Sequence, residues 1–166
     1  IFVYYGEEIG MIGTDNDPNK RIGMLWATRA ETTLCPPGTT LAEYPLPSVA
    51  EQESDPSSLL NYYRHAMLLR NQNPEIARGL SEILPCDDVN CCIVRRSYEG
   101  ESVLIVLNAG REAAELTLDA AVLNGASLCG ALEAGEGEVT LSRARGGEGT
   151  MQLPGYSIAI LRLPSE

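Results

Sequence analysis

Ile1-Phe2-Val3-Tyr4-Tyr5 is an unbroken run of β-branched and aromatic residues ended by Gly6, the pattern of a short strand buried on both faces. From Gly10 to about Ser54 the apolar periodicity disappears. Asp15-Asn16-Asp17-Pro18-Asn19 forms a turn-rich patch, and Pro36, Pro37, Pro45 and Pro47 oppose regular structure. A loop this long inside a compact domain is expected to be functional or disordered. Asp55-Pro56 then opens a predicted helix over residues 56–72, with Asp55 as cap and Pro56 presetting φ at the first position. Leu59, Leu60, Tyr63, Ala66 and Met67 recur at helical spacing as one apolar stripe, Arg64 and Arg70 lie on the wet side, and Asn73-Pro74 closes the helix.

After a short second stretch near Glu75 to Gly79, strands alternate with Gly, Asn and Asp turns. Cys91 to Tyr98 and Ser102 to Asn108 flank Glu99-Gly100-Glu101 and predict a hairpin. Further strands are expected over residues 112–118, 126–132, 138–141, 149–153 and 157–163. Short strands at this spacing predict an antiparallel β-sandwich from about residue 80 onward. The expected class is α+β, mainly β.

Charge narrows the functions. A net charge of −11, from 23 acidic against 12 basic residues, repels phosphate backbones and anionic headgroups. Neither nucleic acid nor a membrane surface is an expected partner, whereas a neutral sugar is compatible. No apolar stretch reaches the roughly 20 residues that a bilayer demands. The five cysteines, Cys35, Cys86, Cys91, Cys92 and Cys129, show neither zinc-site spacing nor disulfide-scaffold density. They read as reduced thiols, mostly buried, and a cytoplasmic location is the expectation.

Several segments together resemble the α-amylase superfamily, glycoside hydrolase family 13, and within it the α-glucosidase and oligo-1,6-glucosidase group. Phe2-Val3-Tyr4-Tyr5-Gly6-Glu7-Glu8-Ile9-Gly10-Met11 is similar to the family's eighth barrel strand and the loop that follows. Arg21-Ile22-Gly23-Met24-Leu25-Trp26 resembles the group's Arg-Thr-Pro-Met-Gln-Trp segment, keeping Arg21, Met24 and Trp26. Asp55 to Arg70 is similar to the last barrel helix. Ser102 to Asn108 and Leu153 to Leu161 resemble strands of the family's C-terminal domain.

The resemblance implies that residues 1–79 are the last strand, loop and helix of a (β/α)8 barrel and that residues 80–166 are a C-terminal β-sandwich. The chain begins inside the first apolar run without a Met, so a longer polypeptide, bearing the upstream catalytic barrel, is expected as parent and partner. Deprived of that barrel, Ile1 to Tyr5 is expected to be disordered, to fold back, or to pair with a second copy in a homo-oligomer. Retaining hydrolysis needs two carboxyl groups about 5–5.5 Å apart, and in this family they lie on earlier barrel strands. Glu7 and Glu8 diverge as neighbours and are read as structural, capping loop amides or pairing with a base.

Arg21 is the candidate substrate-binding residue, and only in the intact parent, where the family's Arg lies beside a subsite for α-linked gluco-oligosaccharide. Trp26 is read as a packing anchor, His65 as an exposed helix residue, and Asp87-Asp88 as a solvated turn. No catalytic residue, metal or cofactor is expected within the chain. Two alternatives stand beside the fragment of a glycosidase: a carbohydrate-binding sandwich, poor in aromatics with only Tyr98 and Tyr156, and a non-catalytic homologue acting as structural partner.

Overall fold

The alternation of apolar residues from Leu80 onward closes into two antiparallel sheets in a computed structural model, which describes residues 2–27, 34–40, 47–123 and 125–165. The strands are β1 (Leu80–Leu84), β2 (Cys91–Tyr98), β3 (Glu101–Asn108), β4 (Ala114–Leu118), β5 (Ser127–Glu133), β6 (Thr140–Arg143), β7 (Gly149–Leu153) and β8 (Ser157–Arg162). One sheet has the order β1-β2-β3-β8-β5 and the other β4-β7-β6. The predicted hairpin is β2–β3, in register from Cys91↔Asn108 to Tyr98↔Glu101. Its two-residue turn puts Glu99 at φ 51° and Gly100 at φ 86°, the left-handed geometry that matches strand twist.

Period-two alternation fixes which residues face the other sheet. Ile93, Leu104, Val106, Ala159 and Leu161 meet Leu116, Leu118, Met151 and Leu153 in one core, closed at its end by Leu123 and Ala126. Leu104, Leu161, Met151 and Leu153 have no measurable exposure, so each contributes on the order of 2 kcal/mol by burial. A mainly β fold with a two-sheet antiparallel sandwich is therefore what forms.

Helices cover part of the sandwich's other face. α2 (Leu59–Gln72) is followed at once by α3 (Pro74–Arg78). Arg96 donates to the carbonyls of Glu75 (3.1 Å) and Ile76 (2.9 Å), and Arg162 to the Glu75 carboxylate (2.6 Å) and Asn73 Oδ1 (2.6 Å). These two arginines, on β2 and β8, hold α3 on the sheet.

The chain divides into two units, Ile1–His65 and Ala66–Glu166, the division falling within α2. In the first unit, 3₁₀ turns form at Glu7–Ile9 and Asp17–Arg21, and α1 occupies Val49–Ser54. Gln52, 4% exposed, is the hub. Its side chain donates to the carbonyls of Ile9 (2.9 Å) and Pro47 (3.1 Å) and accepts from the Leu60 amide (3.1 Å), tying the first loop, α1 and α2 together.

Four expectations are corrected. Phe2, Val3, Tyr4 and Tyr5 belong to no strand and are exposed, because no described segment offers them the amides and carbonyls of a neighbouring strand; Ile1 lies outside the described residues, as does Pro45. The supposed loop up to Ser54 contains α1, opened by a capping box in which Ser48 and Glu51 exchange side-chain bonds. The long helix starts at Leu59, not 56: Asp55 Oδ1 is taken by the Ser57 amide at 2.9 Å, and Ser58 Oγ accepts from the Asn61 amide at 3.2 Å. Its buried positions are Leu60 and Leu69, whereas Leu59 is exposed. The unforeseen strand β1 and the short helix α4 (Ala120–Leu123) complete the elements.

Candidate functional site

Gly6 sits at φ 87° in the turn that ends the apolar run, and an added Cβ there would meet Met11 Sδ at 2.4 Å. Only glycine fits this combination of left-handed backbone and close approach. The Met11 amide donates to the Gly6 carbonyl at 2.8 Å, and Glu8 Oε2 accepts from the Gly6 amide at 2.8 Å. Glu8 thus caps a loop amide, while Glu7 is exposed. The two do not form a pair across a substrate.

The Tyr5 hydroxyl donates to the Ile22 carbonyl at 3.1 Å and joins this turn to the Arg21 segment. Burial pushes the Tyr5 hydroxyl above its usual range, and Tyr4 adds to that, while the nearby Arg21 charge opposes it. Arg21 ends the turn Asp17–Arg21, whose start is capped by Asn16 Oδ1 accepting from the Asn19 amide at 3.0 Å. Asn19 is 2% exposed, accepts from the Thr40 amide at 2.9 Å and donates to Thr40 Oγ1 at 3.0 Å. The framework is therefore fixed while the guanidinium stays wet.

Arg21 Nη2 lies 3.3 Å from Asp17 Oδ2, both side chains more than half exposed. An exposed pair of this kind contributes at most about 1 kcal/mol, so the pair can open for a ligand. Tyr4 and Tyr5, ring centroids 4.9 Å apart, present partly exposed faces on the adjoining turn. A charged fork of donors near aromatic surface matches the two sides of a sugar ring, its hydroxyls and its apolar CH face.

Trp26 is 52% exposed. Its backbone carbonyl accepts from the Ala50 amide at 2.8 Å, and that of Leu25 from Val49 at 3.0 Å. The segment thereby holds the start of α1. His65 is exposed on α2, and among the described residues no three metal-ligating groups converge.

In the second unit, Asp87, Asp88, Glu115 and Asp119 rim a cleft of about 540 Å³. Asp88 Oδ1 accepts from the Asn90 amide at 2.8 Å, and Glu115 from Gln152 Nε2. Three of the four residues are exposed, unlike the desolvated acid a glycosidase requires. Tyr98 and Tyr156 share no surface: one ends β2 beside Glu101, and the other, exposed, bonds through its amide to the Gly110 carbonyl. They stand at opposite ends of β3, roughly 20 Å apart at strand rise, too far for one sugar-stacking platform.

The cysteines form no disulfide, and Cys35 and Cys129 are exposed where burial was expected. Cys91 and Cys92 do face opposite sides, Cys91 packing on the core. Burial, with the Asp88 charge and Cys86 beside it, pushes the Cys91 thiol up to about 11. Because the thiolate is the nucleophile, iodoacetamide at pH 8 is expected to label Cys91 at least about tenfold more slowly than exposed Cys129; peptide mass mapping reads the order.

Comparisons place this geometry in a family, although no family model matches the chain. It is 35% identical over 136 residues to trehalose synthase of Thermus thermophilus, covering 71% of this chain and 14% of that protein. To alpha-amylase SusG of Bacteroides thetaiotaomicron it is 32% identical over 126 residues, 70% of this chain and 18% of that one. Amy13B of Eubacterium rectale superposes with a TM-score of 0.82 and 32% identity, over 98% of this chain and 31% of its own. The chain belongs to the α-amylase family. This α-amylase-family chain spans less than a third of the relatives it matches, and the match to Amy13B runs through both the Arg21 segment and the sandwich.

Proposed function

We propose that the chain is the C-terminal part of a longer, retaining glycoside hydrolase acting on α-glucosidic bonds of oligosaccharides. Residues 1–79 complete a (β/α)8 barrel, residues 80–166 buttress it, and the piece is inactive alone. The observation that carries this reading is the near-complete match to Amy13B, of whose chain it corresponds to 31%. The exposed Phe2 to Tyr5 segment supports it too, since a run of this composition needs flanking strands to cover it. Arg21, wet and paired among the described residues with Asp17, is the residue that contacts the α-linked gluco-oligosaccharide in the parent. Cysteines free of disulfides fit a cytoplasmic setting.

The purified 166-residue chain is expected to release no glucose or nitrophenol from maltooligosaccharides or p-nitrophenyl α-glucoside above the buffer rate. Turnover that survives repurification would refute the fragment reading. In the parent, Arg21→Ala is expected to lower kcat/KM about tenfold, the worth of one charge-assisted hydrogen bond. The melting temperature should stay nearly unchanged, because the lost protein contact is an exposed pair. Unchanged kinetics with a large fall in Tm would make Arg21 structural.

A further inference from the structure

The connection between β1 and β2 brings two thiols to one place. The β1–β2 ladder ends at Leu84↔Ile93, and two further steps of the same antiparallel register set Cys86 across from Cys91. Residues two apart share a face. Accordingly Leu84, Cys86 and Cys91 all pack on the core that contains Ile93. A single carbonyl ties the pair together, since Asp88 O accepts from the Cys91 amide at 3.1 Å and from Cys86 Sγ at 3.9 Å. After burial and the Asp88 charge, the neighbouring Cys86 is a further cause of the raised Cys91 thiol, at about 11. Opposed residues of an antiparallel pair have Cα atoms about 4.5 or 5.5 Å apart, inside the roughly 4.4–6.8 Å that a disulfide spans. Both thiols are nevertheless free.

Access differs between the two. Cys86 lines the cleft of about 540 Å³ that Asp87, Asp88, Glu115 and Asp119 rim, whereas Cys91 does not line it. We propose that Cys86 and Cys91 are a reversible thiol–disulfide pair, oxidised by a small aliphatic disulfide that enters this cleft. The Cys86 thiolate attacks one sulfur of the small disulfide, whose S–S bond breaks, and the departing thiolate takes up a proton. Cys91 then gives up its proton and its sulfur attacks that of Cys86, breaking the mixed S–S bond and releasing the second small thiol. Two protein thiols thereby lose two electrons, and one small disulfide is reduced to two thiols. The order follows from the chemistry, because a thiol that stays protonated is a poor first nucleophile. The acidic rim selects the reagent by charge: a cationic disulfide such as cystamine is drawn in, and an anionic one such as glutathione disulfide is held off. Exposed Cys129, beside the Arg162 charge, meets the opposite field.

The test treats the 166-residue chain with cystamine, quenches in acid, alkylates the unfolded chain with iodoacetamide and maps its tryptic peptides without reductant. No Lys or Arg lies between Arg78 and Arg95, so Cys86, Cys91 and Cys92 stay together in the peptide 79–95. That peptide is expected to lose two hydrogens, to retain no cysteamine and to carry its single alkyl group on Cys92, while Cys129 keeps a cysteamine adduct. Dithiothreitol should restore the reduced mass. Cys91→Ser is expected to stop the reaction at a cysteamine adduct on Cys86, and Cys86→Ser to leave the peptide unmodified at times when the wild type has closed. Relative to its rate at Cys129, glutathione disulfide should close the pair at least about tenfold more slowly than cystamine. A lasting cysteamine adduct on Cys86 in the wild type overturns the pair, as does a peptide that stays reduced while Cys129 reacts. An alkyl group on Cys91, marking a Cys86–Cys92 bond, overturns it too. Equal relative rates for the two reagents overturn the cleft as the way in.

Discussion

Glu75→Ala is expected to cost about 1.5–3 kcal/mol, the worth of the charge-assisted hydrogen bonds in a partly buried ion pair. The Glu75 side chain is 4% exposed and Arg162 33%, with Nη1 to Oε1 at 2.6 Å and Nη2 to Oε2 at 3.4 Å. Removing the carboxylate leaves the guanidinium with Asn73 Oδ1 as its acceptor among the described residues, and loosens the clasp between α3 and β8. The Arg162 hydrogen bonds hold the Glu75 carboxyl below its usual value, burial opposing them. A group with a depressed folded pKa adds stability that is present above its unfolded pKa and lost as pH falls through the folded one. Urea midpoints of wild type should therefore drop toward those of Glu75→Ala below about pH 4.5, while at pH 7 the gap is widest. Midpoints that coincide at pH 7 would show that water already screens the pair.

Where a side chain's burial follows from its own neighbours in sequence, this fold was legible. β2, β3 and β8 announce themselves by β-branched residues and β7 by the turn residues that flank it, and two of the four fall on the expected bounds. β1 was missed because its exposed Leu80, Glu82 and Ile83 show no half-buried alternation; it exists by pairing with β2, Glu82 reaching Arg95 at 3.1 Å. The strand expected at Ile1 to Tyr5 failed for the converse reason, since a sheet pattern is empty without partners. α1 carried its signal openly in Ser48-Val49-Ala50-Glu51, hidden among prolines. Arg21 was singled out through resemblance alone, whereas the contacts of Tyr5 and Asn19 near it were not foreseen. Their contacts span 17 to 21 residues, to Ile22 and Thr40, and such pairings leave no local periodicity. Gln52 and Glu75 drew no expectation from the sequence, because burial of a polar side chain is set by what closes over it.

Gly155→Ala is expected to be comparably damaging, about 3 kcal/mol or more, because an added methyl must displace backbone. A Cβ built at Gly155 would fall 1.9 Å from the Arg111 carbonyl oxygen and 2.6 Å from its carbon. No rotamer relieves that overlap. The surroundings cannot yield cheaply either. The Tyr156 amide donates to the Gly110 carbonyl at 2.9 Å, and Asn108, 2% exposed, donates to the carbonyls of Glu112 (2.8 Å) and Pro154 (3.0 Å) on the two sides of the contact. The corner between β7 and β8 thus sets the separation of the sheets, and widening it would loosen Leu153 and Ala159 in the core. Gly146→Ala serves as control, having nothing within 4 Å of its Cβ and no left-handed backbone; it is expected to shift the urea midpoint hardly at all. Equal midpoints for the two variants would mean that the β7–β8 corner relaxes freely and that Leu153-Pro154-Gly155-Tyr156 fixes a turn but not the packing of the sandwich.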